Sequence, residues 1–258
     1  MSGLLETRRI TRQFGGLRAI GDLSLSVNRG DILGVIGPNG AGKTTLFNLL
    51  TGIYPPSSGE ILFEGLPIAG LRPSEIARRG VARTFQNIRL FRQLTVLENV
   101  RIAYDSQIVC SPPDALLSTP HARLREKESI NASMDLLDLF ELGSLAENRA
   151  GDLSYGAQRR LEIVRALALD PKLLLLDEPA AGMNPSEAMQ LTDFLRWVHG
   201  KFSLTIVLIE HHMQMVMALS DRIEVLDFGV RIAGGKPDEV KGNPRVIEAY
   251  LGTEGELP

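Results

Sequence analysis

Positions 37 to 44 read Gly37-Pro38-Asn39-Gly40-Ala41-Gly42-Lys43-Thr44, and this stretch constrains the fold more than any other. The glycines let the backbone take conformations closed to other residues, so that successive N–H groups can converge on one anion. Residues 31–36 form a short apolar run with the length of a buried strand, and Leu46, Leu49 and Leu50 recur at helical spacing. A strand, a glycine turn and a helix in that order present free backbone N–H groups, and the positive end of a helix dipole, to a phosphate. In a G-x-x-x-x-G-K-[ST] pattern, Lys43 reaches the β- and γ-phosphates of a nucleotide and the Thr44 hydroxyl ligates Mg²⁺. Thr45 follows as a buried or capping hydroxyl and completes the candidate nucleotide-contacting set.

The second informative stretch is Leu173-Leu174-Leu175-Leu176-Asp177-Glu178. A strand inside a parallel sheet is apolar on both faces, and ligands sit at the carboxyl ends of such strands. Asp177 is then placed to hold Mg²⁺ through water, because Mg²⁺ keeps part of its hydration shell. Glu178 is placed to orient and polarise an attacking water.

The rest of the chain supports an α/β core interrupted by helices. Leu23-Ser24-Leu25-Ser26-Val27 alternates as a half-buried strand does, residues 28–31 form a turn, and residues 59–63 read as another strand. From about 94 to 168 strand patterns give way to helical ones, as in residues 130–142 with Met134, Leu136, Leu137 and Phe140. Pro112, Pro113 and Pro120 mark a loop insertion near 105–120. Strands and helices then alternate over 173–176, 185–198, 204–209, 212–218 and 223–226, which argues for a parallel sheet with crossover helices.

Composition removes several function classes. The 258 residues carry a formal net charge of −3, so no global field favours nucleic acid, and the short basic pairs Arg78–Arg79 and Arg159–Arg160 read as solvated helix faces. The single cysteine, Cys110, allows no intrachain disulfide and sits in a loop-like context without a histidine partner pattern. No run approaches the roughly 18–20 apolar residues that span a bilayer. Residues 1–6 lack the basic start and apolar core of a signal peptide. A cytoplasmic protein, brought to any membrane by something else, is expected.

Further elements single out a family. Leu153-Ser154-Tyr155-Gly156-Ala157-Gln158 opens a helix ahead of the acidic strand and resembles the signature sequence of ABC ATPases, with Tyr155 and Ala157 in place of the commoner glycine and glutamine. Ser154 and the Gly156 backbone lie at a helix N-terminus, a second anion site. The resemblance implies that Ser154, Gly156 and Gln158 face the γ-phosphate bound to an opposite subunit. It also implies that Gln86 reaches Mg²⁺ and the attacking water, that His211 contacts the γ-phosphate and Glu178, and that Phe14 stacks on adenine. Residues 181–184 occupy the position of the dimer-contacting loop. In this order and spacing, from residue 4 to 235, the chain resembles an ABC transporter ATP-binding subunit.

The stretches 83–91, 94–100, 178–185 and 243–252 look like branched-chain amino-acid transporter ATPases, and the insertion near 105–120 is similar to the longer of their two ATPase types. His212 stands where the family usually has aspartate. The resemblance implies one ABC ATPase domain over 4–252 with a P-loop NTPase core, its sheet mostly parallel with antiparallel N-terminal strands. The core would comprise 4–93 and 169–235, the helical subdomain 94–168 and a tail 236–258. The cofactors implied are ATP and Mg²⁺. The partners implied are a second ATPase subunit, identical or not, and integral membrane permease subunits, with an extracytoplasmic solute-binding protein engaged indirectly and no nucleic acid. The chain would then act at the cytoplasmic face of the cell membrane as a peripheral subunit. A P-loop kinase would leave the signature sequence unexplained. An ABC ATPase of DNA repair or translation would carry long coiled-coil inserts or two fused cassettes. A nucleotide sensor would not need Glu178 and His211.

Overall fold

The computed structural model describes residues 3–107 and 120–251. Cys110 and most of the expected 105–120 insertion lie outside the described residues. The fold comprises two compact units, one within Met1–Arg83 and Lys172–Pro258, the other within Thr84–Pro171.

The first unit holds two sheets. Strands β1 (Leu5–Phe14), β2 (Leu17–Val27), β4 (Ser58–Phe63) and β5 (Leu66–Pro67) form an antiparallel sheet in the order β2-β1-β4-β5. Along Leu23–Val27 burial alternates as the sequence does. The other sheet has the order β10-β9-β3-β8-β7-β6, built from β3 (Ile32–Ile36), β6 (Val81–Arg83), β7 (Leu173–Asp177), β8 (Thr205–Ile209), β9 (Arg222–Asp227) and β10 (Val230–Gly235). All its pairings are parallel except β9 with β10. Every residue of β3, β7 and β8 is buried, which is why these segments are continuous apolar runs.

Helix α1 (Lys43–Leu50) follows β3 and buries Leu46, Phe47, Leu49 and Leu50 in a core shared with Ile61 and Phe63 of the antiparallel sheet and Leu175 and Val207 of the parallel one. Helix α2 (Pro73–Arg78) precedes β6. A second apolar cluster joins Ile36, Ile223 and Val225 to Val216, Val240 and Val246.

In the second unit α3 (Val96–Asp105) starts at a reciprocal cap: Glu98 N–H donates to Thr95 Oγ1 and Thr95 N–H to Glu98 Oε2. It is followed by α4 (Pro120–Leu139) and α5 (Tyr155–Leu167), which Ser154 caps. This unit begins at Thr84 and ends at Pro171, where the sequence pattern suggests 94 and 168.

Back in the first unit, α6 (Pro185–Phe202) and α7 (Met213–Leu219) follow β7 and β8 as crossover helices. The expected tail contains α8 (Pro237–Lys241) and α9 (Pro244–Leu251). No helix among the described residues is long and apolar enough to cross a membrane.

Candidate functional site

The parallel sheet sets the site. β3, β7 and β8 run in parallel with Asp177 beside Ile209, so the loops after Ile36, Asp177 and Ile209 emerge at one edge, the usual ligand edge of such sheets. The glycine turn leaves β3 in a geometry that side chains would block. Gly37 has φ +151°, and a Cβ there would lie 2.0 Å from Leu226 O; at Gly42, φ is +95° and a Cβ would lie 2.6 Å from Ala19 O. Gly42 caps α1 without a side-chain bond, so the first-turn N–H groups keep their capacity for an anion.

Lys43 is buried at 6 % exposure, and its Nζ donates to Gly37 O at 2.7 Å and Pro38 O at 2.9 Å. Its ammonium thus closes the loop on itself. Burial lowers the Lys43 pKa from the ordinary lysine value, while the Glu178 and Asp177 carboxylates pull it back up.

Phe14, Asn39 to Thr45, Glu178 and His211 line one cavity of about 360 Å³, within the range of small-ligand sites. His211 Nε2 lies 2.8 Å from Glu178 Oε1. Glu178 has φ +46°, in the left-handed region that non-glycine residues rarely adopt. Its N–H donates to Ile209 O at 2.8 Å, which holds that backbone in place; strain of this kind gathers at functional sites. Phe14 meets Tyr54 edge-on, ring centroids 5.2 Å apart, with the Arg12 guanidinium 4.6 Å from the Phe14 centroid.

Asp177, 4 % exposed, ends β7 and is paired with Arg83 at 2.7 Å. Thr44 is exposed and Thr45 half-buried at the cavity. A hydroxyl and a carboxylate suit Mg²⁺, which takes one or two protein oxygens and completes its shell with phosphate and water. Among the described residues no group of three or more His, Cys, Asp or Glu side chains could hold a metal alone.

The remaining candidates belong to the second unit. Ser154 Oγ accepts from Ala157 N–H at 3.4 Å, and a Cβ on Gly156 would meet nothing within 4 Å. Gln158 is 8 % exposed, and its amide donates to Leu153 O at 2.8 Å and Gly151 O at 3.4 Å, so that side chain braces the loop before α5. Gln86 O accepts from Arg159 Nη2 at 3.0 Å.

The reading of Arg159–Arg160 as a solvated face fails at Arg159, which is fully buried. It pairs with Glu162 at 2.7 Å, and the two charges bond the backbone at Phe85, Gln86 and Arg89. Helical spacing could have flagged this pair: Arg159 and Glu162 are three residues apart, an opposite-charge spacing that brings the two side chains to one face of a helix. The same bonds explain why residues 84–93 group with the helical unit.

The family model described as "ABC transporter" matches residues 20–181, and one described as "Branched-chain amino acid ATP-binding cassette transporter" matches residues 230–256. The chain belongs to the ABC transporter family. It is 44 % identical over 249 residues, 96 % of this chain and 98 % of the relative, to the high-affinity branched-chain amino acid transport ATP-binding protein LivG of Salmonella typhimurium. Identity is 43 %, with the same coverage, to BraF of Pseudomonas aeruginosa, which carries the same description. Among solved structures, the ADP conformation of an ATP-binding cassette of an ABC transporter superposes with a TM-score of 0.84 at 33 % identity, covering 98 % of this chain and 100 % of that one.

Several side chains of this ABC cassette escape motif reading. Phe228, 82 % exposed with φ +43°, lines the nucleotide cavity together with Leu17 and Arg18. Glu210, 1 % exposed, accepts from Ala180 N–H at 2.7 Å through Oε1, and from His211 N–H at 2.9 Å and His212 N–H at 3.2 Å through Oε2. It ties the loop after Glu178 to the loop that carries His211. Its acidic type just before the histidine was the available signal. Glu210→Ala leaves the buried Ala180 N–H without its acceptor and is expected to cost about 1–3 kcal/mol, lowering the melting temperature by roughly 3–10 °C. Thermal unfolding followed by circular dichroism measures this, and an unchanged transition would remove the bridging role.

Proposed function

We propose that this chain is the ATP-hydrolysing subunit of an ABC importer that energises uptake of branched-chain or related amino acids, working in a pair of such subunits docked on membrane permeases. The observation that carries the reading is the meeting of the Lys43 loop with the Glu178–His211 pair in one cavity. A phosphate cradle facing a carboxylate that can order water is the minimum equipment for phosphoryl transfer to water. The transport descriptions of LivG and BraF support the solute class.

The steps follow from the residues. The N–H groups of the 37–44 loop and the start of α1 bind the β- and γ-phosphates, and the Lys43 ammonium exchanges its loop carbonyls for phosphate oxygens. Phe14 offers a ring face to the base. Glu178 accepts a hydrogen bond from the attacking water and draws its proton as the new phosphorus–oxygen bond forms and the bond from the γ-phosphorus to the bridging oxygen breaks, ADP leaving with that oxygen and the γ-phosphoryl group becoming inorganic phosphate. His211 fixes the carboxylate through Oε1 and reaches toward the γ-phosphate. Thr44 and Asp177 would hold Mg²⁺, to which the family resemblance adds Gln86, and the ion would supply charge neutralisation of the phosphates when bound. No covalent intermediate is needed; positioning and electrostatics suffice. Ser154 and the N–H groups at Gly156 supply donors for the γ-phosphate of a partner subunit, so that ATP joins the pair and hydrolysis releases it. The Gln86 segment, bonded to Arg159 and Glu162, carries the change to the permeases.

Membrane vesicles assembled with the permease subunits and solute receptor test the solute class. Inward leucine transport should require MgATP and stop when ATP is withheld. ATP hydrolysis without response to any branched-chain amino acid, with the receptor present, would reject that class.

A further inference from the structure

Arg83, at the carboxyl end of β6, has a side chain only 6 % exposed. Its Nη2 donates to Asp177 Oδ2 at 2.7 Å. Its Nη1 donates to Asn48 Oδ1 at 2.8 Å and reaches Thr51 Oγ1 at 3.3 Å, and its guanidinium carbon lies 5.4 Å from the centroid of the Phe47 ring. Asn48 and Phe47 belong to α1, the helix that opens at Lys43, and Thr51 caps its end. One planar fork therefore spans from the phosphate-binding helix to the carboxylate that ends β7. Its five donors have fixed directions, so anchoring on one side dictates the other.

A buried ion pair of this kind adds little net stability, since desolvation offsets attraction. Its larger consequence is geometric. Asp177 is nearly enclosed, and the bond from Arg83 Nη2 holds its Oδ2 and restricts how the carboxylate can turn. A ligand that acts on Mg²⁺ is oriented by such outer partners.

We propose that Arg83 is a positioning residue for Asp177, setting the direction in which that carboxylate meets the Mg²⁺ of bound MgATP. The inference rests on the nucleotide-binding reading above and extends it to a residue outside the cavity lining.

The test separates cradle from metal. ATP is titrated by calorimetry into the full chain, once with excess EDTA and once with Mg²⁺, for the wild type, Arg83→Met and Arg83→Lys. Binding without metal reports the Lys43 loop; the gain on adding Mg²⁺ reports the metal ligands, of which Asp177 is the one Arg83 touches. Arg83→Met is expected to keep metal-free affinity within about twofold and to lose about tenfold of the Mg²⁺-dependent gain, the size typical of outer-sphere partners. Arg83→Lys keeps the charge but not the fork, and should lose at least about threefold of the same gain while remaining better than Arg83→Met. A gain that is unchanged or larger in Arg83→Met, or an equal loss with and without metal, overturns the proposal. Should Arg83→Met fail to unfold cooperatively, Arg83→Lys decides alone, and a wild-type gain there overturns the proposal. A wild type that binds ATP in neither condition would instead reject the nucleotide reading, whereas one that binds ATP without metal and gains nothing from Mg²⁺ overturns the positioning proposal alone, and both would be recognised before any variant is compared.

Discussion

Glu178→Gln is expected to bind MgATP as wild type does and to lose turnover by roughly 10²–10⁴-fold, the usual worth of a positioned general base. The substitution keeps the shape of the side chain and its reach to His211 Nε2, now 2.8 Å from Oε1. It removes the charge that draws a proton from water. The left-handed backbone at Glu178, held through its N–H to Ile209 O, should keep the amide in the same place, so a loss of rate reflects chemistry rather than collapse. Phosphate release by the assembled transporter, alongside ATP titration of the same variant, measures both halves. Near-normal turnover would dismiss Glu178 as the base. Loss of binding equal to the loss of rate would move its role to the ground state.

Lys43→Ala should act on affinity instead. A charge-assisted hydrogen bond to phosphate contributes about 1.5–3 kcal/mol, which predicts an affinity loss of roughly ten- to a hundredfold. A second effect adds to it. Nζ bonds the carbonyls of Gly37 and Pro38, so the alanine variant also frees the loop whose N–H groups form the cradle. Equilibrium titration with ATP reports the sum. Lys43→Arg isolates the charge, and equal affinity in Lys43→Ala and wild type would exclude the lysine from phosphate binding.

Much of this architecture could be read from residue order. The run at residues 173–176 is apolar at every position, as a strand buried on both faces requires. The turn at 37–44 could be read because its glycines answer to crowding by Leu226 O and Ala19 O, which other residues cannot tolerate. Helix α1 begins at Lys43 and ends at Leu50, as the leucine spacing indicates. What periodicity missed are short elements with few apolar positions, such as β6 and α8, whose stability comes from neighbours.

The residues determined locally are those whose chemistry is satisfied locally: the glycine cradle, the lysine behind it and the acidic strand end follow from spacing along one stretch of chain. The partners of buried charges are decided elsewhere. Arg83 and Asp177 are 94 positions apart, and Arg159 reaches back 74 positions to Phe85 O. Nothing in either neighbourhood names the other, because an ion excluded from water takes whichever opposite charge the fold delivers. Sequence alone therefore determined the glycine turn, its lysine and the acidic end of a buried strand; the tertiary structure alone decided which arginine pairs with Glu162 and which with Asp177, since those choices depend on desolvation in a packed interior rather than on spacing.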